Sequence, residues 1–356
     1  MKKLKKRELN IWVVRITKIL ITGGTGFVGC NLANHFLNKG FEVTVFDNLS
    51  RKGTEKNLEW LKSSHKTNFK FIKGDIRNFY SLVESTKDVD IIFHTAAQVA
   101  VTSSIKNPRE DFETNALGTF NILEAARKNN LNPIIIYTST NKVYGNNVNK
   151  ISLIEKDTRY DFADPKYKNG IPENFPTDAD EHTPYGSSKY TADIYIRDFS
   201  TIYDLKTVTF RMSCIYGTRQ FGNEDQGWVS YFIISSFLNK PMVIYGDGKQ
   251  VRDVLYIDDL VKAFEMAYQN IKKTKGKVYN IGGGVKNTMS LLELLTLLKT
   301  LGLKPKYNFS NWRLADQKVY ISDTEKSKEF GWHPTVSPED GVGKLLQWVK
   351  ENKILF

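Results

Sequence analysis

The chain has 356 residues, of which 40% are hydrophobic and 25% charged, so it can bury a sizeable core in one large α/β unit or in two lobes. No apolar run is long enough to span a bilayer, and the two cysteines, Cys30 and Cys214, have neither metal-ligand nor disulfide spacing, which fits a reducing cytoplasm. The net charge of +12 comes from lysines spread along the chain, which argues against nucleic-acid binding.

The first part of the chain alternates strand and helix patterns. Residues 1–16 have a basic head and no small-residue cleavage site, which predicts a disordered leader rather than a signal peptide. Buried strands are predicted at TKILITGG, FEVTVFDN, FKFIKGD, DIIFHTAA, PIIIYTST and TVTFRMSCIYG. Helices are predicted at CNLANHFLNKG, NALGTFNILEAARKNN and YGSSKYTADIYIRDFSTIY. This alternation predicts an α/β fold with a doubly wound parallel sheet of the Rossmann type.

The second part is less regular. Residues 146–183, rich in Asp, Asn, Pro and Lys, predict a long loop beside the active-site mouth. MVIYGDGKQVRDVLY predicts a hairpin, and VYNIGGG predicts a strand that returns to the main sheet. We therefore predict a Rossmann domain over residues 17–212 with a returning segment at about 251–283, and a smaller C-terminal substrate-binding lobe over 213–250 and 284–356.

A glycine turn follows the first predicted strand. Gly23, Gly26 and Gly29 in ITGGTGFVG stand before a helix, where glycine lets the backbone approach a pyrophosphate and the helix N-terminus offers free N–H groups. Asp47 ends the second strand, where a carboxylate would accept the ribose hydroxyls, although a turn-forming role is the alternative. The pattern predicts a dinucleotide site that prefers NAD to NADP, a preference weakened by two basic residues at 51 and 52.

Further candidate cofactor residues follow the third and fourth strands. Asp75 could contact the adenine edge or could cap a helix. Ala96 and Ala97 are small enough for a cofactor to lie close above them, beside Gln98. Asn115 is a candidate as well, with support of backbone geometry as its alternative role. The cofactor set is completed by Phe27, Val28, Asn48, Ile76, Thr138, Tyr185 and Lys189.

Tyr185 and Lys189 stand four residues apart in PYGSSKYTAD, so they share one helix face. A nearby ammonium favours the phenolate, which a tyrosine needs to act as a base near neutral pH. Thr140 ends the strand YTST, where its hydroxyl could bond the reacting oxygen. These residues predict removal of a hydride and a proton from an alcohol beside a bound nicotinamide. Asn141 and Lys142 follow, instead of the carboxylate pair that would suit a dehydratase.

Three arginines are candidate clamps for a diphosphate, because a guanidinium grips phosphate oxygens in two places. They are Arg252 in GKQVRDVLY, Arg313 in NWRLADQ, and Arg219; a solvated surface charge is the alternative for each. Asp316 could orient Arg313 or meet a sugar hydroxyl. The candidate substrate residues also include Ser139, Asn141, Arg211 and Ser213. No metal site is predicted.

Several of these motifs together resemble one family. TGGTGFVG, GDIRN, the Tyr185–Lys189 pair, RDVLYIDDL and NIGGG resemble the extended short-chain dehydrogenase/reductase family, in its nucleotide-sugar epimerase and dehydratase branch, over nearly everything after Ile16. Six further segments are similar to those of family members that invert C2 of a CDP-linked dideoxyhexose. They are DNLSRKGTEKNLEWL, QVAVTSSIKNP, STNKVYG, YGTRQFGNEDQGWV, GKQVRDVL and ADQKVYISD. STNKVYG and RQF…DQGWV are the more specific markers.

The resemblance implies a cytoplasmic isomerase that keeps NAD tightly bound and serves surface-polysaccharide biosynthesis. Tyr185 would take the proton of the sugar 2-hydroxyl, helped by Lys189 and Thr140, and the C2 hydride would leave and return on the other face without net redox. Lys189 would also bond the nicotinamide ribose, and Ser139 and Tyr216 would line the sugar pocket. Family members often pair through helices of the first lobe, so a homodimer or homotetramer is expected.

Two other functions stay open at this point. A UDP-sugar 4-epimerase of the same family would use the same Thr140, Tyr185 and Lys189, so this triad does not separate the two epimerases. An NAD-sensing or RNA-binding protein on the same scaffold is an alternative of another class. Such a protein would be expected to lose the tyrosine or the lysine, and this chain has both.

Overall fold

A seven-stranded parallel sheet dominates the computed structural model, which describes residues 16–129, 132–313 and 316–356. The strands in chain order are β1 (Lys18–Thr22), β2 (Glu42–Asp47), β3 (Phe69–Lys73), β4 (Ile91–His94), β5 (Ile134–Thr140), β6 (Leu153–Glu155), β7 (Tyr160–Phe162), β8 (Lys206–Met212), β9 (Cys214–Tyr216), β10 (Pro241–Tyr245), β11 (Val251–Tyr256), β12 (Lys277–Ile281), β13 (Thr288–Ser290), β14 (Lys306–Ser310) and β15 (Val319–Tyr320). Residues 1–15 of the leader predicted over 1–16 lie outside the described residues.

Helices connect most of these strands. In chain order they are α1 (Phe27–Asn38), α2 (Thr54–Ser64), α3 (Phe79–Ser85), α4 (Val101–Lys106), α5 (Pro108–Phe112), α6 (Gly118–Lys128), α7 (Pro184–Ile202), α8 (Trp228–Phe237), α9 (Ile257–Gln269), α10 (Ile271–Thr274), α11 (Leu291–Thr300) and α12 (Pro338–Glu351). A π-helical turn at Glu113–Leu117 joins α5 to α6, and a 3₁₀ segment at Asn141–Lys150 follows β5. Among the described helices, none is long and apolar enough to cross a membrane.

The main sheet has the strand order β12-β8-β5-β4-β1-β2-β3, and each neighbouring pair is parallel. The order reverses at β1, where the chain first builds outward to β3 and then returns to add β4. A crevice forms at the carboxyl ends of the strands beside such a switch point. The prediction of a doubly wound parallel α/β sheet is confirmed.

The three layers follow from the alternation of side chains along each strand. Ile19 and Ile21 of β1 pack into a core cluster that includes Phe36 of α1, whereas Leu20 between them packs into a second cluster with Ile122 of α6. Both faces of the sheet are therefore apolar and covered by helices. This explains why the parallel strands read as continuous apolar runs in the sequence.

The strands after β8 are distributed among different sheets. β12 joins the main sheet beside β8, so the predicted return of VYNIGGG is confirmed. β11 pairs instead with β9, β13 and β15, and β10 pairs in parallel with β14. The prediction of a hairpin over MVIYGDGKQVRDVLY is therefore wrong, because its two strands find partners far along the chain. The domain boundaries drawn from the sequence stay a prediction.

Residues 146–183 contain more structure than their composition indicates. β6 and β7 form an antiparallel hairpin within this segment. Ile171 donates its backbone N–H to the carbonyl of Ile321 at 2.7 Å and packs in a buried cluster with Tyr144 and Tyr320. The segment is held by contacts with the C-terminal part of the chain, which no local sequence pattern reports.

Candidate functional site

Three adjoining clefts lie at the carboxyl ends of the central strands. The glycine-turn cleft contains eleven of the predicted cofactor residues: Gly23, Gly26, Phe27, Val28, Gly29, Asp47, Asn48, Asp75, Ile76, Ala96 and Ala97. The tyrosine cleft contains Thr138, Ser139, Thr140, Asn141, Tyr185, Lys189 and Ser213. The arginine cleft contains Asn141, Arg252, Arg313 and Asp316. The structure thus brings most of the predicted residues together, along one continuous crevice.

The glycine turn is closed so tightly that side chains are excluded. A Cβ on Gly23, whose φ is +66°, would lie 2.6 Å from backbone atoms of Ala96. A Cβ on Gly29 would collide with the carbonyl oxygen of Gly23 and lie 2.6 Å from the Cα of Gly24. α1 begins at Phe27, so Gly29 lies in its first turn, and no side chain caps the first N–H groups of the helix. The turn therefore presents bare backbone donors at a helix N-terminus, which suits a pyrophosphate.

Asp47 and Asn57 shape the floor of the same cleft. The Asp47 carboxylate accepts hydrogen bonds from the backbone N–H groups of Thr25 at 3.1 Å and Leu49 at 2.8 Å, so it holds the turn while it lines the cleft. Asn57 donates to the carbonyl of Thr25 at 3.0 Å, and its buried Oδ1 has no partner. An unpaired buried acceptor beside a carboxylate fits a ligand rich in hydroxyl and amine donors, such as a dinucleotide. Asn57 was missed because a helical asparagine has no sequence signal of this kind.

Asp75 lines the glycine-turn cleft, and its contact with the adenine edge stays a prediction. The alternative role as a helix cap is wrong, because α3 begins at Phe79 and Asn78 caps it. The Asp75 Oδ2 lies 2.7 Å from Nη2 of Arg77 and accepts from Nδ2 of Asn48 at 3.0 Å, while its Oδ1 accepts from the backbone N–H of Arg77 at 2.9 Å. The hydrogen bond from Arg77 lowers the Asp75 pKa to about 2, so the carboxylate stays charged. It therefore closes the local turn and also presents negative charge at the edge of the glycine-turn cleft.

Gln98 and Asn115 do not line any of the three clefts. Asn115 lies in the π-helical turn, where its Oδ1 accepts from the backbone N–H of Gln98 at 2.9 Å and its Nδ2 donates to Ser188 Oγ at 3.1 Å. Both side chains also donate to buried Asp111, at 2.9 and 3.1 Å. This geometry matches the alternative role of Asn115, support of the backbone behind the tyrosine cleft.

The end of β5 and the first turn of α7 meet in the tyrosine cleft. Thr183 caps α7 by accepting from the backbone N–H of Gly186 at 3.2 Å, and this places Tyr185 in the first turn. Thr140 lines the same cleft as Tyr185, and its hydroxyl accepts a hydrogen bond from the backbone N–H of Lys142 at 3.2 Å. Burial raises the Tyr185 pKa to about 12, opposed by the nearby Thr140 hydroxyl and by the charge of Arg51. The phenol and the threonine hydroxyl share this cleft with the polar side chains of Ser139, Asn141 and Ser213.

Lys189 lies deeper in the same cleft and is 2% exposed. Burial lowers its pKa to about 7, and the carboxylates of Asp111 and Asp193 act in the opposite direction. Its Nζ lies 4.3 Å from the centre of the Tyr137 ring. The ammonium is not among the groups that shift the Tyr185 pKa in this structure, so its predicted influence on the phenol stays a prediction.

The arginine cleft is lined by paired charges and aromatic rings. Arg252 Nη2 lies 2.7 Å from Asp316 Oδ1. The guanidinium of Arg313 lies 4.0 Å from the centre of the Tyr245 ring and donates to the backbone carbonyl of Glu224 at 3.0 Å. Two guanidinium groups are thus held by fixed partners on one cleft, an arrangement that suits phosphate oxygens.

Two predicted substrate residues lie elsewhere. Arg219 lines the glycine-turn cleft, with its guanidinium 4.0 Å from the centre of the Trp60 ring. Arg211 is 4% exposed, lines none of the three clefts and places its Nε 2.9 Å from Asp193 Oδ2. Asp193 also accepts from Ser139 Oγ at 3.2 Å, so Arg211 supports the tyrosine cleft from behind. The sequence around a single arginine does not indicate whether its side chain reaches the glycine-turn cleft, the arginine cleft or a buried carboxylate.

Several cleft residues were absent from the predicted set. Gln226 lines all three clefts, and Trp228 lines two of them and donates from Nε1 to Cys214 Sγ at 3.2 Å. Both belong to the DQGWV segment, whose distinctive residues were the available signal. Lys142 also lines two clefts. Across the described residues, no group of three or more His, Cys, Asp or Glu side chains could hold a metal ion.

Comparison with known proteins gives one family and consistent relatives. The family model described as NAD dependent epimerase/dehydratase matches residues 19–282. CDP-paratose 2-epimerase of Salmonella typhi is 46% identical over 340 residues, covering 93% of this chain and 98% of that protein. A putative UDP-glucose 4-epimerase of Methanocaldococcus jannaschii is 31% identical, covering 94% of this chain and 99% of that protein.

Solved structures of two kinds of enzyme have the same fold. UDP-glucuronic acid 4-epimerase from Bacillus cereus, in complex with UDP-glucuronic acid and NAD, is similar with a TM-score of 0.79 at 28% identity, over 94% of this chain and 99% of that one. A dTDP-glucose 4,6-dehydratase from Streptomyces venezuelae with NAD bound is similar with a TM-score of 0.80 at 26% identity, over 96% of this chain and 99% of that one.

Proposed function

This chain belongs to the NAD dependent epimerase/dehydratase family, and we propose that it is an isomerase that inverts C2 of CDP-paratose to give CDP-tyvelose. The similarity to the Salmonella typhi 2-epimerase over nearly the whole of both chains carries the choice of substrate. The position of Thr140, Tyr185 and Lys189 in one cleft beside the glycine turn supports the choice of chemistry.

The glycine-turn cleft would hold NAD, tightly enough to stay through many turnovers. The uncapped N–H groups at the start of α1 would bind the pyrophosphate, and Asp47 would accept the ribose hydroxyls. When bound, NAD supplies a reversible acceptor for the C2 hydride, so that isomerisation proceeds without net oxidation. Arg219, stacked on Trp60, would border the cofactor rather than the sugar diphosphate.

The proton chemistry belongs to the chain's own residues. Tyr185, as the phenolate, takes the proton of the sugar 2-hydroxyl, and the Thr140 hydroxyl holds that oxygen beside it. Lys189, whose charged form Asp111 and Asp193 favour against the effect of burial, would stabilise the phenolate and bond the nicotinamide ribose. The 2-keto sugar then rotates so that the hydride returns to the opposite face of C2. The same phenol returns the proton to the oxygen, so no proton is gained or lost overall.

The arginine cleft would hold the nucleotide diphosphate. Arg252 and Arg313 are fixed by Asp316 and by the Tyr245 ring, so they lose little rotamer freedom when they grip phosphate oxygens. Ser139, Asn141 and Ser213 would line the sugar between this cleft and Tyr185.

A UDP-sugar 4-epimerase is the second candidate, because a putative UDP-glucose 4-epimerase also matches along almost the whole chain. It would use Thr140, Tyr185 and Lys189 in the same way. A non-catalytic NAD-sensing or RNA-binding protein is less well supported, because Tyr185 and Lys189 line one cleft next to the glycine turn.

A homodimer or homotetramer in the cytoplasm is part of the proposal. Phe112 of α5 is 55% exposed, and Leu117 of the adjoining π-helical turn and Tyr195 of α7 are each 41% exposed. α5, this turn and α7 pack against one another, so large apolar side chains stand on one helical face of the Rossmann part. Such a face suits association with a second copy.

The first test is to incubate the purified protein with CDP-paratose, without added NAD, and follow the C2 configuration of the sugar by proton NMR. Conversion to an equilibrium mixture with CDP-tyvelose is expected, and it would support both the substrate and the retained cofactor. An absence of conversion even with NAD supplied would overturn the proposal, and UDP-glucose and UDP-N-acetylglucosamine would be tested next.

A further inference from the structure

Lys142 stands where the tyrosine cleft and the arginine cleft meet. The residues that line both clefts include Asn141, Lys142, Cys214, Asp225, Gln226 and Trp228. Lys142 is the one cation among these described residues. Its side chain therefore lies between Tyr185, where the sugar would react, and the arginines, where the diphosphate would bind.

The position of the reacting carbon makes this junction important. In a nucleotide sugar the diphosphate is attached to C1, and C2 is bonded directly to C1, whereas C4 lies across the ring. An enzyme that reacts at C2 must therefore hold the sugar-proximal phosphate much closer to its catalytic tyrosine than an enzyme that reacts at C4. A cation beside both clefts meets this requirement.

We propose that the Lys142 ammonium binds the sugar-proximal (β) phosphate of the nucleotide sugar and thereby places C2, rather than C4, at Tyr185. This inference rests on the proposed function for the identity of the sugar. Lys142 follows Thr140 by two residues, so the cation that holds the phosphate is fixed to the same strand end as the hydroxyl that holds the reacting oxygen.

A hydrogen-bonded chain links Lys142 to the arginine clamp. Lys142 Nζ donates to Gln317 Oε1 at 3.4 Å, and Asn141 donates to the same oxygen at 3.1 Å. The backbone N–H of Gln317, a residue that is 1% exposed, donates to Asp316 Oδ1 at 2.9 Å, and the same oxygen lies 2.7 Å from Arg252. The long bond from Nζ leaves its other donors for a ligand, while the chain fixes its distance from Arg252.

The surroundings of Lys142 favour an incoming anion. Burial lowers the Lys142 pKa to about 8, and the positive charge of Arg252 acts in the same direction. Asp316 and Cys214 act in the opposite direction. The ammonium is thus only weakly neutralised by its neighbours, and a bound phosphate would raise its pKa and favour the charged form. Above pH 8, binding of a β-phosphate should therefore be coupled to uptake of a proton.

The test compares CDP with CMP, which differ by the β-phosphate, by isothermal titration into the NAD-loaded protein. In the Lys142→Met variant we expect CDP to bind about tenfold to a hundredfold more weakly, since one charge-assisted hydrogen bond is lost, and CMP to bind nearly unchanged. Lys306→Met, which removes an exposed lysine of β14, is the matched control and should change neither affinity. Lys142→Arg should restore part of the preference for CDP.

Proton uptake gives a second readout. Titrations above pH 8 in buffers of different ionisation enthalpy should show uptake of protons with CDP in the natural protein and less of it in Lys142→Met. An unchanged ratio of CDP to CMP affinity in Lys142→Met would overturn the inference. Retained NAD and an unchanged melting temperature would establish that Lys142→Met is folded. If Lys142→Met does not fold, Lys142→Gln is used for the same measurements.

Failure of this inference is distinguishable from failure of the proposed function, because the binding test needs no turnover. If the protein does not convert CDP-paratose, the same comparison is made with UDP and UMP. A Lys142-dependent preference for the diphosphate there would retain the β-phosphate contact and overturn only its link to C2. Loss of both affinities together would place Lys142 outside the β-phosphate site.

Discussion

The Lys189 ammonium lies 4.3 Å from the centre of the Tyr137 ring, on the floor of the tyrosine cleft. An aromatic face attracts a cation, and here it holds a buried lysine for which Asp111 and Asp193 supply the opposite charge. Lys189 is thus positioned from below by one ring and two carboxylates. Its side chain is ordered by the protein before any ligand arrives, which lowers the entropic cost of using it in a reaction.

Replacement of Tyr185 by Phe tests the proposed base. We expect kcat to fall about 10²–10⁴-fold, because the phenol is the group that moves the proton. NAD should remain bound, since the glycine-turn cleft does not include Tyr185. NMR of the sugar and the absorbance of the released cofactor measure the two effects. Tyr195→Phe, which changes a 41% exposed tyrosine on the same helix, is the control, and full activity of Tyr185→Phe would contradict the mechanism.

Replacement of Lys189 by Met tests the electrostatic role of the ammonium. Without this cation the Tyr185 pKa is expected to rise, so a smaller fraction of phenolate exists at any given pH. We therefore expect kcat to fall about 10²-fold near neutral pH and to increase more steeply with pH than in the natural protein. In the natural protein the Lys189 charge is lost as pH rises through about 7, which should flatten its profile. Parallel profiles for the two proteins would refute this role.

Two glycines with different surroundings test the packing of the turn. Gly29→Ala should destabilise the fold by about 1–3 kcal/mol and weaken NAD binding, because its Cβ would lie 2.6 Å from the Cα of Gly24. Gly343 lies in α12, where a Cβ would have no neighbouring atom within 4 Å, so Gly343→Ala should stabilise the protein by about 0.5–1 kcal/mol. Melting temperatures and NAD titrations measure both. Equal effects at the two positions would argue against a tight turn.

Replacement of Arg252 should affect binding of the nucleotide sugar, whereas replacement of Arg219 should affect binding of NAD. Arg252→Ala is expected to raise KM for the nucleotide sugar about tenfold or more, with NAD affinity unchanged, because Arg252 lines the arginine cleft. Arg219→Ala is expected to weaken NAD binding instead, because its guanidinium lines the glycine-turn cleft above Trp60. Steady-state kinetics and NAD titration of both variants separate the two roles. A raised KM for the nucleotide sugar in Arg219→Ala, with normal NAD binding, would show that Arg219 contacts the sugar diphosphate instead of the cofactor.

Local patterns predicted the main sheet well. Apolar runs that end at glycine or at polar residues gave the positions of β1, β2, β4 and β5, because strands covered on both faces need continuous apolar sequence. The β10–β11 hairpin was predicted wrongly for a related reason. Neighbouring strands with a glycine-rich connection look alike whether they pair with each other or, as here, with β14 and β9.

The sequence by itself determined the local chemistry of this protein: the glycine turn, the acid at the end of β2, and the tyrosine and lysine one helical turn apart. These features depend on spacings of a few residues, which the period of a helix or strand fixes. Only the tertiary structure decided that Arg219 reaches the glycine-turn cleft, that Arg211 pairs with Asp193, and that Lys142 stands between two clefts. Such placements depend on contacts between residues far apart in the chain, and a long charged side chain reaches whichever partner the packing of distant elements brings near.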